Sequence, residues 1–294
     1  MGPTAVGKTD WAMSLVEALS AEIISVDSAM VYCGMDIGTG KPSLAELKKA
    51  PHHLINICDP TESYSAGRFC HDAKQKIKEI MARRRMPLLV GGTMLYFHKL
   101  LHGLADLPRA NADLRKQFDL ELKTLGLATL YDRLKKVDPI AAVNIKPQDR
   151  QRIQRALEVY LLTGRPISAF YEKQHYSLLS DYQVKMVALI PSDRAWLHHR
   201  IEARFDKMLA AGLIEEVRAL HQRPDLHENL NSIRTVGYRQ VWEYLEGRTR
   251  FEMMRQKAIA ATRQLAKRQL TWLRHWKNIT VVDPLHDRAT RDFY

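Results

Sequence analysis

The 294-residue sequence has few cysteines and no long apolar run. Its three cysteines, Cys33, Cys58 and Cys70, are odd in number and lack C-x-x-C spacing, which argues against a disulfide framework or a cysteine zinc site. No apolar stretch approaches the length of a membrane span, and the N-terminus lacks the apolar region and cleavage site of a signal peptide. We therefore expect a cytoplasmic protein with no membrane partner.

Acidic residues are missing between Glu252 and Asp283, although the chain contains 33 of them. The formal net charge of +12 favours a polyanionic partner such as nucleic acid. The composition, 46% hydrophobic and 27% charged, is typical of a globular protein and excludes disordered and collagen-like classes. The segment without acids carries a block of basic residues, namely Arg255, Lys257, Arg263, Lys267, Arg268, Arg274 and Lys277.

A phosphate-binding motif lies at the start of the sequence, where residues 2–9 fit the pattern G-x-x-x-x-G-K-[ST]. In such a loop the backbone N–H groups and the positive end of the following helix bind an anion. The lysine adds a cation, and the last hydroxyl can hold Mg²⁺. A buried strand ordinarily precedes this loop, whereas Met1 directly precedes it here, so we expect either further upstream residues or a sheet with lower stability. The motif consists of Gly2, Pro3, Thr4, Ala5, Val6, Gly7, Lys8 and Thr9.

Helices and strands alternate after the motif. A helical pattern over 8–19 precedes a β-branched strand that ends at Asp27, and a helix capped by Ser65 precedes a second strand at 87–90. The order loop, helix, strand is typical of parallel sheets covered by helices. The sequence therefore predicts an α/β fold, a P-loop NTPase-like parallel sheet flanked by helices.

The pattern becomes purely helical after residue 107. Strand character returns over 182–190, where we expect the chain to rejoin the sheet, and Ser192 is predicted to cap the next helix. A long basic helix and a short strand at 279–282 complete the chain. We predict a catalytic core of 1–107 and 182–294 with an inserted helical domain at 108–181.

Two polar residues follow predicted strands, Asp27 after the first and Thr93 after the second. The carboxyl ends of parallel strands face the ligand crevice of an open α/β sheet, so these side chains could act on a ligand of the phosphate loop. The alternative is local: Asp27 could cap a turn at Ser28, and the Gly91-Gly92-Thr93 turn needs its glycines in any case. Position alone does not separate these interpretations.

The sequence resembles the bacterial tRNA dimethylallyltransferases in several motifs that occur in the family's order. Besides the loop, these motifs are DSAMVY (27–32), MDIGT (35–39), GGTMLY (91–96), RTVGYR (234–239) and RQLAKRQ (263–269). The resemblance runs through nearly the whole chain and is more specific than a phosphate loop alone, which many NTPases share.

This resemblance implies that a dimethylallyl group moves from dimethylallyl diphosphate to N6 of the adenosine at tRNA position 37, next to the anticodon, and that diphosphate leaves. It further implies that Asp27 is the base, that Thr93 hydrogen-bonds near the reacting atoms, and that Arg200 and a Thr9-held Mg²⁺ accompany the diphosphate. We expect the adenosine to be flipped into a channel. We also expect the enzyme to be a monomer.

The resemblance and the basic segments together indicate the tRNA contacts. Arg263, Lys267 and Arg274 share one side of a predicted helix beside an apolar stripe, although a solvated face would look the same. Arg115 matches a family contact on the inserted domain. The predicted tRNA-binding residues are Asp27, Ser28, Ala29, Met30, Thr93, Arg115, Gln151, Arg152, Ile153, Gln154, Arg155, Arg234, Thr235, Val236, Gly237, Tyr238, Arg239, Arg263 and Lys267.

Three other functions would use the same loop. A small-molecule kinase would bind ATP there, but it would leave the basic C-terminal block without a role. An adenylate prenyltransferase acting on free AMP, ADP or ATP would need neither the helical insertion nor the basic segments. A nucleic-acid-dependent ATPase would require a pair of acidic residues after a strand, whereas Asp27 is a single one.

Overall fold

The computed structural model describes residues 1–172 and 177–286. The chain divides into two compact units, Met1–Leu101 with Leu178–Tyr294, and His102–Ser177. The domain boundaries expected at 107 and 181 differ from this division by a few residues. None of the described helices combines the length and the apolar character needed to cross a membrane.

Helices predominate over strands in the described residues. The strands are β1 (Ala21–Val26), β2 (His52–His53), β3 (Met86–Gly91), β4 (Val187–Leu189) and β5 (Thr280–Val282). The helices are α1 (Lys8–Ala18), α2 (Leu44–Lys49), α3 (Ala66–Ala82), α4 (Met94–His102), α5 (Ala112–Val137), α6 (Pro139–Asn144), α7 (Arg150–Thr163), α8 (Ser168–Tyr171), α9 (Arg194–Ala210), α10 (Leu213–His221), α11 (Tyr238–Leu245) and α12 (Phe251–Arg274).

The central sheet of the first unit is parallel, with the strand order β2-β1-β3. All six residues of β1 are buried, as expected for a strand covered on both faces. In its register with β3, Ile24 pairs with Leu89 and Val26 with Gly91, so both strands end at the same edge. Asp27 and Thr93 follow these two strand ends. The fold is therefore the P-loop NTPase-like parallel sheet flanked by helices that the sequence predicts.

The strand predicted at 182–190 differs from the expectation. Only Val187–Leu189 forms a strand, and it pairs in parallel with β5 in a separate two-stranded sheet instead of joining the sheet of β1 and β3. Hydrogen bonds join the other edge of β4 to Met1, whose amino group donates to the Val187 carbonyl and whose carbonyl accepts from the Leu189 N–H. These two ladders satisfy the polar backbone groups of the short strand.

One of two helix caps agrees with the sequence prediction, and the other is displaced by one residue. Ser65 caps α3, its hydroxyl accepting from the Arg68 N–H at 3.1 Å. At the start of α9 the cap is Asp193 rather than the predicted Ser192, because the Asp193 carboxylate accepts from the Ala195 N–H at 2.7 Å. Ser192 instead donates its N–H to Asp283, which follows β5.

The second unit is helical. Helix α5 is interrupted at Gly126, whose φ of 79° is left-handed and therefore suits glycine. The core packs Phe118, Leu134, Ile153 and Leu157 from α5 and α7. Residues 173–176, part of the predicted insertion, lie outside the described residues.

Candidate active site

The phosphate loop bends through left-handed backbone at two positions, with φ of 64° at Ala5 and 100° at Gly7. Gly7 precedes α1, and no side chain caps that helix end. The first turn of α1 therefore presents its N–H groups and the positive end of the helix dipole to a ligand. This geometry suits an anion such as a phosphate group.

The Lys8 side chain turns back over the loop and donates to the Pro3 carbonyl at 2.6 Å. Burial lowers the pKa of Lys8, the charge of Arg204 adds to this shift and Asp27 opposes it, and the net pKa is about 7. Near neutral pH the ammonium is thus poised between its charged and neutral forms. A bound anion would favour the charged form.

Asp27 and Thr93 meet at the edge of the sheet. One oxygen of Asp27, Oδ1, accepts from the N–H groups of Ala29 at 2.8 Å and Met30 at 3.3 Å. The Thr93 hydroxyl oxygen accepts from the Ser28 N–H at 3.1 Å and thereby ties the two strand ends together. Asp27 therefore does cap a local turn, but through Oδ1, and Oδ2 receives no hydrogen bond within the described residues.

Two arginines one turn apart on α9 approach the loop. Arg200 donates from Nε to the Ala5 carbonyl at 2.8 Å and stacks over Trp196 at 4.9 Å. Arg204 donates to the Thr39 carbonyl at 3.3 Å, and burial lowers its pKa. Among the described residues neither guanidinium has a carboxylate within 4.0 Å, which leaves both charges available to an anionic ligand.

Arg204 lines the cavity but was not among the residues predicted from the sequence. The signal was present, because a position four residues after Arg200 lies on the same face of a helix. What the sequence could not show is that this face of α9 packs beside the loop 36–40, whose Gly40 leaves room for the guanidinium.

These groups line one cavity of about 920 Å³. It brings together the phosphate loop, the residues after β1 and β3, Arg200, and the turn at 234–237. The cavity lining has an excess of positive charge, which favours an anionic ligand. Seven lining residues are basic, Lys8, Lys41, Arg200, Arg204, Lys207, Arg234 and Arg268, and three are acidic, Asp10, Asp27 and Glu46.

A second missed residue, Glu216, fixes the loop that forms one wall of the cavity. Its carboxylate accepts from the N–H groups of Asp36, Ile37 and Gly38 at 2.7–3.1 Å. It also accepts from the Tyr238 hydroxyl at 2.5 Å. One carboxylate of α10 therefore satisfies four donors and holds the segment that continues into Thr39 and Gly40.

Two residues predicted to contact tRNA are internal, which corrects the expectation for their side chains. Tyr238 is fully buried, bonds Glu216, and packs where a Cβ on Gly38 would collide with its ring. Ile153 is fully buried in the core of the helical unit. Arg152 and Arg239, which adjoin them in the motifs, are exposed, because successive helical residues point in different directions, whereas Gly237 is buried.

Among the residues of the helical unit that were predicted to contact tRNA, Arg115 and Arg155 form ion pairs with Glu158. The buried carboxylate of Glu158 accepts from Arg115 at 3.1 Å and from Arg155 at 2.5 Å. Burial alone would raise the pKa of Glu158, but hydrogen bonds from Arg155, the Asn111 N–H and Arg115 lower it overall. Gln154 donates to Asp119 at 3.0 Å, and Arg152, although exposed, pairs with Asp149 at 3.3 Å. Gln151 is exposed.

Three of the remaining predicted residues, Arg239, Arg263 and Lys267, lie on α11 and α12. Arg239 forms an ion pair with Glu243 at 3.1 Å, and Arg263 pairs with Glu202 at 3.3 Å. Lys267 is exposed. The apolar stripe predicted for α12 is largely correct, because Ile259, Ala266 and Leu273 are buried.

The described residues contain no group of three or more His, Cys, Asp or Glu side chains that could hold a metal ion. Thr9 and Asp27 both line the cavity. A hydroxyl and a carboxylate fit a magnesium ion that takes most of its ligands from water and from substrate phosphates. They do not fit a metal site that the protein builds alone.

Comparison with known proteins identifies the family of this chain. Residues 30–276 match the family model described as IPP transferase. A tRNA dimethylallyltransferase of Coxiella burnetii (strain RSA 331 / Henzerling II) is 57% identical over 276 residues, which cover 94% of this chain and 88% of the relative. One of Nitrosococcus oceani is 56% identical over 284 residues, covering 97% and 90%.

Solved structures give the same result. A tRNA isopentenylpyrophosphate transferase from Bacillus halodurans aligns with a TM-score of 0.68 and 40% identity, over 96% of this chain and 88% of that one. A eukaryotic dimethylallyltransferase acting on tRNA aligns with a TM-score of 0.80 and 29% identity, over 96% of this chain and 72% of that one. The chain therefore belongs to the IPP transferase family, and its activity is that of a tRNA dimethylallyltransferase.

Proposed function

We propose that the cavity binds dimethylallyl diphosphate and transfers its dimethylallyl group to N6 of the adenosine at tRNA position 37. The observation that carries this proposal is the shared cavity of about 920 Å³, in which the phosphate loop and Asp27 face the same space. An anion site and a carboxylate with an unbonded oxygen are the two groups that such a transfer needs.

The phosphate loop holds the diphosphate in this proposal. The uncapped end of α1, Lys8 and Arg200 surround the loop, and Arg204 adds a further guanidinium from the next turn of α9. Transfer breaks the bond between C1 of the dimethylallyl group and the diphosphate oxygen, and the departing oxygen gains negative charge. Fixed positive groups at that position stabilise the transition state.

Mg²⁺ is the proposed cofactor, with the Thr9 hydroxyl as its protein ligand beside the substrate phosphates. When bound, the ion would neutralise part of the charge on the leaving diphosphate. Asp27 and the phosphate loop retain their roles in positioning and proton transfer.

Asp27 is proposed as the general base. A bond forms between N6 and C1 as the C1–O bond breaks, and the proton lost from N6 passes to Oδ2 of Asp27. A base is useful because the N6 lone pair is delocalised into the purine ring, which makes it a weak nucleophile. Thr93, bonded to the Ser28 N–H, keeps the two strand ends in a fixed relation.

We propose that the exposed basic segments bind the tRNA by recognising its overall shape and its phosphate backbone. The adenosine must leave the anticodon stack to reach Asp27, so we propose that it is flipped into the cavity. We propose that the protein acts as a monomer. The members of the predicted set that are at least partly exposed are the proposed contacts: Asp27, Ser28, Ala29, Met30, Thr93, Arg115, Gln151, Arg152, Gln154, Arg155, Arg234, Thr235, Val236, Arg239, Arg263 and Lys267.

One assay tests the proposal. The protein is incubated with dimethylallyl diphosphate and Mg²⁺, and with either unmodified tRNA or AMP, and the products are digested and analysed by mass spectrometry. The proposal predicts a dimethylallyl group on the adenosine at position 37 of the tRNA and none on AMP. Transfer to AMP, or modification at a different tRNA position, would contradict it. A tRNA with guanosine at position 37 is the matched control.

A further inference from the structure

Gln269 joins two parts of the active site that are far apart in the sequence. It lies on α12, and 9% of its surface is exposed. Its side-chain oxygen accepts from the Thr4 N–H in the phosphate loop at 2.8 Å. Its side-chain nitrogen donates to the Gly92 carbonyl at 2.9 Å, and Gly92 directly precedes Thr93. A single buried amide thus bridges the phosphate loop and the Thr93 turn.

The chemistry of this bridge requires a carboxamide of this length. The Thr4 N–H needs an acceptor and the Gly92 carbonyl needs a donor, and an amide supplies one of each in a single orientation. A glutamate would offer acceptors only, and an aliphatic residue would leave both backbone groups unbonded. The backbone also leaves room for the amide, since a Cβ on Gly92 would collide with the Gln269 nitrogen.

We infer that Gln269 is a positioning residue that sets the separation between the phosphate loop and the Thr93 turn. The inference rests on the proposed function, in which the loop holds the leaving diphosphate and the strand ends carry Asp27 and Thr93. Because the two substrates bind at opposite ends of this bridge, its length fixes how closely N6 can approach C1. Gln269 itself touches neither reacting atom.

A small change in the distance between the phosphate loop and the Thr93 turn should lower the rate of transfer more than it lowers the affinity for either substrate. Displacing reacting groups by about 1 Å can cost about 100-fold in rate. Lys267 and Arg268, which precede Gln269 on α12, are exposed, and their charges do not depend on the bridge. We therefore expect Gln269 variants to retain their affinity for tRNA.

The test compares Gln269→Met with Gln264→Met, a change at an exposed glutamine of the same helix. The inference predicts that Gln269→Met lowers kcat by about 10- to 100-fold, with the dissociation constant for tRNA essentially unchanged. Gln264→Met should match the wild type. Amide hydrogen exchange provides a readout independent of catalysis, and Thr4 should exchange faster in Gln269→Met. Unchanged kcat together with unchanged Thr4 exchange would overturn the inference.

A second variant separates positioning from simple stability. In Gln269→Glu the ionised carboxylate cannot donate to Gly92, whereas the protonated acid can donate and accept as the amide does. The ratio of its kcat to that of the wild type should therefore rise as the pH falls, and Gln264→Glu should show no such trend. A ratio independent of pH would argue against the bridge. A wild-type protein that fails to prenylate tRNA would contradict the proposed function instead, and the Thr4 exchange would still test Gln269.

Discussion

Lys8 and Arg204 carry like charges close enough together that the guanidinium lowers the pKa of the lysine. Burial is the larger cause of the shift, and both effects make the charged ammonium costly in the free protein. Both residues line the same cavity. An anion that enters the cavity lowers the free-energy cost of these two neighbouring positive charges. The two residues together therefore indicate where the negative charge of a substrate binds.

The first prediction concerns the pH dependence of diphosphate binding. The pKa of Lys8 is about 7 in the free protein, and a bound anion raises it. Below pH 7 the lysine is charged in both states and contributes no pH dependence. Above pH 7 binding must take up a proton, so the affinity for inorganic diphosphate should weaken by up to about tenfold per pH unit. Calorimetry at pH 8 in two buffers of different ionisation enthalpy measures this uptake.

The matched protein for that measurement is Lys8→Met. The ligand's own protonation is common to both proteins, so the difference between them isolates the lysine. Equal proton uptake by the wild type and Lys8→Met would show that anion binding does not change the pKa of Lys8.

The second prediction concerns the loop held by Glu216. In Glu216→Gln the new amide nitrogen cannot accept, so at least one of the donors from Asp36, Ile37, Gly38 and Tyr238 loses its partner. A buried donor without a partner costs about 1–3 kcal/mol. The midpoint of thermal unfolding should fall, and the amides of 36–38 should exchange faster with solvent.

The control for the loop is Glu215→Gln, the same change of charge at the neighbouring exposed residue, whose described partner is Arg218. This variant should unfold and exchange like the wild type. Equal effects of the two substitutions would mean that Glu216 acts through its charge on α10 and not through the loop.

The third prediction concerns acid stability. Hydrogen bonds from Arg83 and His53 to the buried Glu22 carboxylate lower its pKa to about 2, against an ordinary value of 4.5. Since the folded pKa is depressed, this contribution is present above pH 4.5 and is lost as the pH falls toward 2. It amounts to at most about 3 kcal/mol. Chemical denaturation between pH 7 and 3 should show a smaller loss of stability in Glu22→Gln than in the wild type.

Glu17→Gln is the control for that series, since Glu17 is exposed on α1. Its stability should follow the wild-type curve at every pH. If Glu22→Gln follows the wild-type curve as well, the ion pairs of Glu22 do not contribute to the acid sensitivity of the fold.

The fourth prediction concerns tRNA binding by α12. Lys267 is exposed and lies in the basic block, so Lys267→Gln should weaken binding of all tRNAs alike. The slope of log affinity against log salt concentration should become less steep by an amount that corresponds to the loss of about one phosphate contact. Filter binding at several salt concentrations measures both quantities. Lys78→Gln, at an exposed lysine of α3, should leave the slope unchanged, and an unchanged slope in Lys267→Gln would remove that residue from the interface.

The sequence was most informative where function depends on neighbouring residues. The phosphate loop, the helix after it and the polar residues that follow β1 and β3 could be predicted because local spacing and turn chemistry determine them. The parallel register then brings Asp27 and Thr93 to one edge, as expected for adjacent strands.

Prediction failed where a role depends on packing between distant segments. Glu216 meets Asp36 across 180 residues, and Gln269 meets Thr4 across 265. No local pattern distinguishes such a glutamate or glutamine from an exposed one on a helix. The short strand at 187–189 shows the same limit, because its extent is set by the partners available to it.

The central claim is that Asp27 accepts the proton from the adenosine N6. Asp27→Asn keeps an oxygen that can accept from Ala29 and Met30, so the local turn should remain, but the amide cannot act as a base. The most direct measurement is single-turnover transfer from dimethylallyl diphosphate to saturating tRNA, with tRNA affinity measured on the same samples. We predict a rate lowered by about 100-fold or more, with tRNA affinity retained. Transfer at the wild-type rate would contradict the claim and leave Asp27 as a turn cap.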